Sequence, residues 1–370
     1  MSQLFQSVKV GPYTFRHRIA MAPLSRLRSN ADGTPTELAA EYYGQRASEG
    51  GLIVSEGTFM AEGGNGYLGV PGINADRQIN RWKKITDAVH AKGGYIFLQL
   101  WHVGRQSHAE HQPAGGAPVA PSAEPFEGMV FTTEGWVAST PARALEIHEI
   151  EDLVEEYRKA TQRAVAAGFD GVEVHAANGY LLDQFLQDGS NKRNDAYGGS
   201  IENRARFLMQ AVDAAASVIG INRVGVRISP SGEFGGMKDS APEALFSHVA
   251  QKLNKLNLAY LHLIEPRVSG NETNNSKDQQ TPVAAQLIRK HYKGIIIAAG
   301  GFTPESAAAI IEEGHADLVA FGRHFISNPD LPERIRNSIP LAKYNRDTFY
   351  GGKEVGYTDY PAHGETLQSA

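Results

Sequence analysis

The sequence predicts an α/β protein: a single (β/α)8 TIM barrel over residues 1–370, with an N-terminal β-hairpin and long loop insertions after strands 3 and 4. Three observations predict it. Eight short apolar runs alternate with longer amphipathic stretches. The short runs are continuously apolar, as parallel strands buried on both faces require. The first run lacks the Gly-x-Gly-x-x-Gly turn of a dinucleotide fold, which weighs against a doubly wound open sheet.

The elements follow in order. Val8 to Arg18 places a turn-like Gly11-Pro12 between apolar flanks and reads as a hairpin ahead of the barrel. Ile19–Leu24 is the first strand, with a helix at Glu37–Ser48. Leu52–Thr58 is the second, with a helix at Arg81–Ala91. Tyr95–His102 is the third, and its helix waits until Glu151–Ala167. Gly171–Ala176 is the fourth, with a helix at Glu202–Ile219. Arg223–Ser229 is the fifth, with a helix at Pro242–Leu256. Tyr260–Ile264 is the sixth, with a helix at Pro282–His291. Ile295–Ala299 and Leu318–Phe321 are the seventh and eighth, followed by helical patterns at Pro304–Glu313 and Leu331–Arg336. The connections Val103–Ile150 and Gly179–Ser200 are long for a compact domain. Long ordered loops carry function more often than short ones, and loops that follow strands face the active site of a barrel.

Composition narrows the function classes. The chain is 41% hydrophobic and 21% charged, enough to bury a large core. Its net charge of −5 comes from interspersed acids and bases, so neither nucleic acid nor an anionic membrane is expected as a partner. With no cysteine, disulfides, thiolate metal sites and a cysteine nucleophile are excluded. Met1 to Lys9 does not read as a signal peptide, and no stretch of 18 apolar residues appears; the expected location is cytoplasmic.

Strand ends on the catalytic face hold the chemistry. After strand four, His175 and Asn178 can both point a donor at one oxygen and stabilise an enolate, while Tyr180 offers a proton to the adjacent carbon. Gly300 and Gly301 after strand seven, with Gly322 and Arg323 after strand eight, suit a phosphate held by backbone amides and one cation. Gln99, Trp101 and His102 end strand three. Arg227, inside the apolar fifth strand, needs an anionic or carbonyl partner, either a ligand or a structural ion pair. Pro23, Leu24 and Ser25 end strand one with backbone groups and a hydroxyl. His102, His108 and His111 do not match a metal-ligand spacing and read as solvated loop histidines; no metal is expected.

Together these motifs resemble the Old Yellow Enzyme family of FMN-dependent ene-reductases, most similar to its classical bacterial branch. The likeness runs from Met21-Ala22-Pro23-Leu24 to Phe349-Tyr350-Gly351-Gly352 and Gly356-Tyr357-Thr358-Asp359-Tyr360-Pro361. It is most specific in the run His175 to Leu186 and from Tyr197 through Asn203 to Arg206. The resemblance implies non-covalently bound FMN, reduced by NADPH or NADH and reoxidised in a ping-pong cycle by an activated alkene: an α,β-unsaturated carbonyl, a maleimide or a nitroalkene, with nitrate esters as a further class. It implies that Pro23, Leu24, Ser25, Gly57, Gln99, His175 and Arg227 border the flavin, and that Gly300, Gly301, Gly322 and Arg323 hold its phosphate. His175 and Asn178 would bind the acceptor oxygen, Tyr180 would donate the proton, and Tyr67, Trp101 and Tyr350 would line the substrate pocket. The chain would act as a monomer or homodimer.

Three positions and one loop depart from the family pattern. Ser25 stands where many members carry Thr, and Gly57 where Ala is frequent, which predicts more room near the ring. Asn178 replaces the His of some bacterial relatives. The loop Arg267–Thr281 matches no readable pattern and is expected to help cap the pocket. Two other readings compete. A phosphate-substrate aldolase or isomerase would need a strand-end Lys, which is not evident, or a Glu base, for which Glu56, Glu173 and Glu265 are the candidates. A non-catalytic flavin-binding protein would not need Tyr180 beside His175 and Asn178.

Overall fold

A computed structural model describes residues 3–269, 272–273 and 283–365. Strands β1 (Ile19–Met21), β2 (Leu52–Val54), β3 (Tyr95–Trp101), β4 (Gly171–Ala176), β5 (Val224–Ile228), β6 (Tyr260–Ile264), β7 (Ile296–Ala299) and β8 (Leu318–Phe321) pair in parallel in chain order. β8 pairs back onto β1, Phe321 opposite Met21, and the barrel closes. Outside it lie helices α1 (Leu38–Arg46), α2 (Asp76–His90), α3 (Ile147–Ala166), α4 (Arg206–Ile219), α5 (Pro242–Leu253), α6 (Val283–Arg289), α7 (Pro304–Glu312) and α8 (Leu331–Arg336).

Period-two alternation divides each strand between two cores. Ile19, Met21, Ile53, Ile96 and Leu98 pack outward against the helices. Ala20, Leu52, Val54, Phe97, Tyr260, Ile297 and Ala320 fill the inside. The predicted hairpin, Val8–Val10 against Tyr13–Phe15, closes the bottom by adding Val10 and Phe15 to the inner cluster. By the same alternation, Gln99 and Trp101, Glu173 and His175, Arg227, and His262 face the axis toward the upper end.

Several boundaries move, each for a local reason. β1 stops at Met21: the Ala22 amide still donates to the Phe321 carbonyl at 2.9 Å, and from there the chain forms a cavity wall. β2 breaks after Val54, and Thr58–Phe59 then pairs separately with Leu100–Trp101. α2 begins at Asp76 rather than Arg81: Gln78 Oε1 accepts the Asn74 and Ala75 amides and starts a polar first turn that apolar spacing does not reveal. The polar connection after β4 contains a buried helix, Leu181–Leu186. The connection after β3 carries a hairpin, Met129–Thr132 with Gly135–Ala138. The predicted cap at 267–281 falls largely on 270–271 and 274–281, outside the described residues, as does the predicted helix start at 282. Among the described residues no helix is long and apolar enough to cross a membrane.

Candidate active site

A cavity of about 750 Å³ opens at the carboxyl ends of the strands, within the range of roughly 300–1,000 Å³ that suits a cofactor and a small ligand. Its inner wall is built by Pro23, Leu24 and Ser25, by Arg227, and by Gly300, Gly301, Gly322 and Arg323. Asn178, Tyr180, Tyr67 and Tyr350 line it too. The structure thus gathers residues from β1, β4, β5, β7 and β8 around one space.

One end suits an anion. Gly300 and Gly301 have φ of +122° and +66°, backbone that L side chains rarely adopt, and their turn leads into α7, capped by Thr303. Gly322 caps the short helix Arg323–Ser327. Two helix starts therefore meet the cavity with the positive ends of their backbone dipoles, and Arg323 adds a cation.

Arg227 stands in the middle. Its guanidinium is buried and its Nε has no hydrogen-bond partner. Burial lowers its pKa, and Glu173 opposes that shift. Glu173 is itself taken up on the barrel axis: Gln99 Nε2 donates to Oε1 at 2.7 Å, and His262 Nδ1 lies 2.8 Å from Oε2. The partner expected for Arg227 is thus supplied in part by a structural carboxylate, with the Nε left free.

His175, beside Arg227 in register, is 4% exposed, and its Nδ1 is unpartnered. Burial, then Arg227, lower its pKa to about 3, so the imidazole is neutral at pH 7 and can donate without carrying charge. Its ring meets Tyr180 edge-on, with centroids 5.2 Å apart. The Tyr180 phenol is raised well above its usual value by burial and by Tyr67. Such a phenol keeps its proton until a stronger base forms beside it.

His175, Gln99, Gly57 and Trp101 do not form the cavity wall itself. Trp101 lies behind it, 4.9 Å from Tyr180 and stacked on Tyr67 at 6.0 Å. The room expected beside Gly57 is filled by that indole: a Cβ there would lie 2.8 Å from Trp101 Cε3. Of the three histidines, His102 is not solvated as expected, whereas His108 and His111 are partly exposed. His102 is 3% exposed, accepts the Gly104 amide and is lowered to about 4 by burial. His108 caps a short 3-10 turn, and His111 reaches the Phe131 carbonyl. The carboxylates proposed as bases are engaged: Glu56 by the Arg26 amide, Glu265 by the Ala284 and Ala285 amides, and Glu173 as above.

Spacing did not reveal the hairpin wall, with Phe126, Met129 and Trp136 at the mouth, nor the grip of Arg26 and Arg28 on the Phe349 carbonyl, which seats the segment carrying Tyr350. A paired arginine run followed far downstream by an aromatic cluster is too weak a signal to find it.

The sequence profile of the NADH:flavin oxidoreductase / NADH oxidase family matches residues 3–342. The chain is 44% identical to 12-oxophytodienoate reductase 7 of Oryza sativa subsp. japonica, over 98% of this chain and 95% of that protein. It is 43% identical to flavin oxidoreductase hxnT of Emericella nidulans, over 98% of both. Among solved structures it is similar to morphinone reductase in complex with tetrahydroNAD, with a TM-score of 0.90, 47% identity, and 98% of this chain and 99% of that one covered. The old yellow enzyme homologue from Zymomonas mobilis superposes with a TM-score of 0.91 at 44% identity, over 97% and 99% of the two chains.

Proposed function

The chain belongs to the NADH:flavin oxidoreductase / NADH oxidase family, as an oxidoreductase of the Old Yellow Enzyme type, and from that membership we propose that it holds FMN along the cavity and reduces activated C=C bonds with electrons from NADPH or NADH. One observation carries the reading: the cavity runs from a glycine-lined anion end, past the Arg227 guanidinium, to a wall bearing Asn178 and Tyr180.

The residues fit the group. Gly300, Gly301, Gly322 and Arg323 would hold the phosphate. The free Nε of Arg227 would face the pole of the ring system where negative charge collects. Pro23, Leu24 and Ser25 would border the ring, while Gln99 and Gly57 act from behind through Glu173 and Trp101. Bound FMN supplies hydride transfer, taken from a nicotinamide and passed to the alkene. The chain's part is to bind, orient and protonate. Asn178 and the neutral His175 direct donors at the acceptor's carbonyl or nitro oxygen as charge develops there. Tyr180 holds a proton for the carbon next to that group. Tyr67, Trp101 and Tyr350 shape the space above.

The test is optical. Protein loaded with FMN should bleach under anaerobic NADPH or NADH and recover its colour with 2-cyclohexenone. Failure to bind FMN at all, or bleaching that no activated alkene reverses, would overturn the proposal. The aldolase or isomerase reading loses support because Glu56, Glu173 and Glu265 are already hydrogen-bonded within the fold.

A further inference from the structure

Asn178 and Gly179 form an uncommon turn. Both have left-handed backbone, with φ of +56° and +69°, and Asn178 is not a glycine. Gly179 is required there, since a Cβ would come within 2.6 Å of the Phe234 carbonyl. Two consecutive left-handed residues need an outside hold.

That hold comes from buried side chains of three separate segments. The Asn178 amide donates to Ser229 Oγ at 3.0 Å, and Ser229 Oγ donates on to Asp183 Oδ2 at 3.3 Å. The Gly179 amide donates to the same Oδ2 at 2.8 Å. Gln187 Nε2 secures the other carboxylate oxygen at 2.8 Å. Gln106 Nε2 donates to both carbonyls of the turn, at 2.9 and 2.7 Å. Asp183 is fully buried and Ser229 nearly so; neither is in the cavity wall.

We propose that Asp183 and Ser229 are positioning residues that lock the Asn178–Gly179 turn and so aim the Asn178 carboxamide at the acceptor oxygen. Resting on the function proposed above, this assigns the acceptor site a scaffold outside its wall. Removing one acceptor oxygen leaves a buried donor unpaired and frees the turn to relax toward commoner backbone. The loss then appears as weaker binding of any ligand whose oxygen Asn178 receives.

The test is a double-mutant cycle on the FMN-loaded protein, read as the affinity for phenol by spectral titration. In the Asn178 background, Asp183→Asn should weaken phenol binding about tenfold and Ser229→Ala about threefold, on the scale of a lost hydrogen bond to a charged or neutral group. In an Asn178→Ala background each should change it by less than about twofold. Equal losses in both backgrounds would show that these residues do not act through Asn178 and would overturn the inference, leaving the enzyme reading intact. If Asn178→Ala by itself leaves phenol affinity unchanged, the acceptor role of Asn178 falls and the inference with it. Should Asp183→Asn not fold, Ser229→Ala decides alone, and additivity in its cycle overturns the proposal.

Discussion

Glu173 and His262 meet on the barrel axis, with His262 Nδ1 2.8 Å from Glu173 Oε2 and neither side chain exposed. Two residues beyond Glu173 in β4 comes His175, which pairs in register with Arg227, and Arg227 pairs with His262. The pair is therefore the floor beneath the cavity, and its charge is what Arg227 answers to inside the barrel.

Glu173→Gln keeps the shape and removes the charge. It leaves the buried Arg227 guanidinium without its opposing charge, and an uncompensated buried charge costs about 3–5 kcal/mol. Chemical denaturation of the variant should show a loss of that size. An unchanged midpoint would mean that Arg227 is neutralised elsewhere.

Stability should decline gently as pH falls from about 6.5 and more steeply below pH 4.5. Burial lowers His17 and His102 to about 4, and burial and Arg227 lower His175 to about 3. The unfolded chain protonates these groups first, so each costs stability as pH falls from 6.5 toward its folded value. Glu56 and Asp183 oppose this. Burial raises them to about 7 and about 6, so the folded chain takes up their protons first, until pH reaches their ordinary range. Below that the opposition is spent. Glu173, held at about 2 by His262, Arg227 and Gln99 against the cost of burial, then adds to the loss as pH falls from 4.5. Melting temperatures across pH 4 to 8 check this; a uniform slope from 7 downward contradicts it.

Tyr180→Phe should slow alkene reduction on the order of 100-fold, the usual scale for a positioned proton donor. NADPH oxidation with acceptors that need no carbon protonation should be nearly unaffected. Stopped-flow measurement of the two half-reactions separates the steps, and equal loss in both removes the proton-donor assignment.

Arg323→Ala should weaken FMN binding about 10- to 100-fold, the scale of a hydrogen bond to a charged group. Riboflavin lacks the phosphate, so its affinity should not change. Fluorescence titration with the two flavins makes the comparison, and parallel losses would move Arg323 away from the phosphate.

The barrel was legible because strand and helix periodicities are local. Gly171–Ala176, Tyr260–Ile264, Leu318–Phe321 and Leu331–Arg336 are found at the residues predicted. Both ends of the cavity were legible too, because in this fold a strand's last residues face one side whatever their partners. Departures occur where a contact from elsewhere intervenes, as at Ala22, which turns into the wall, or in the buried helix Leu181–Leu186 hidden in a polar connection.

By itself, then, the sequence determined the alternation, the closure of eight strands and the placement of Arg227, Asn178, Tyr180, Gly300 and Arg323 at one end of the barrel. Only the tertiary structure decided which partner each polar group takes. It turned the Gln99 amide to Glu173, buried His102, filled the space beside Gly57 with Trp101, and brought Asp183 and Ser229 together under the Asn178 turn. The reason is physical: periodicity reports which face of an element is buried, whereas hydrogen-bond partners in the interior are chosen among segments far apart in the chain, by distance and desolvation that spacing does not encode.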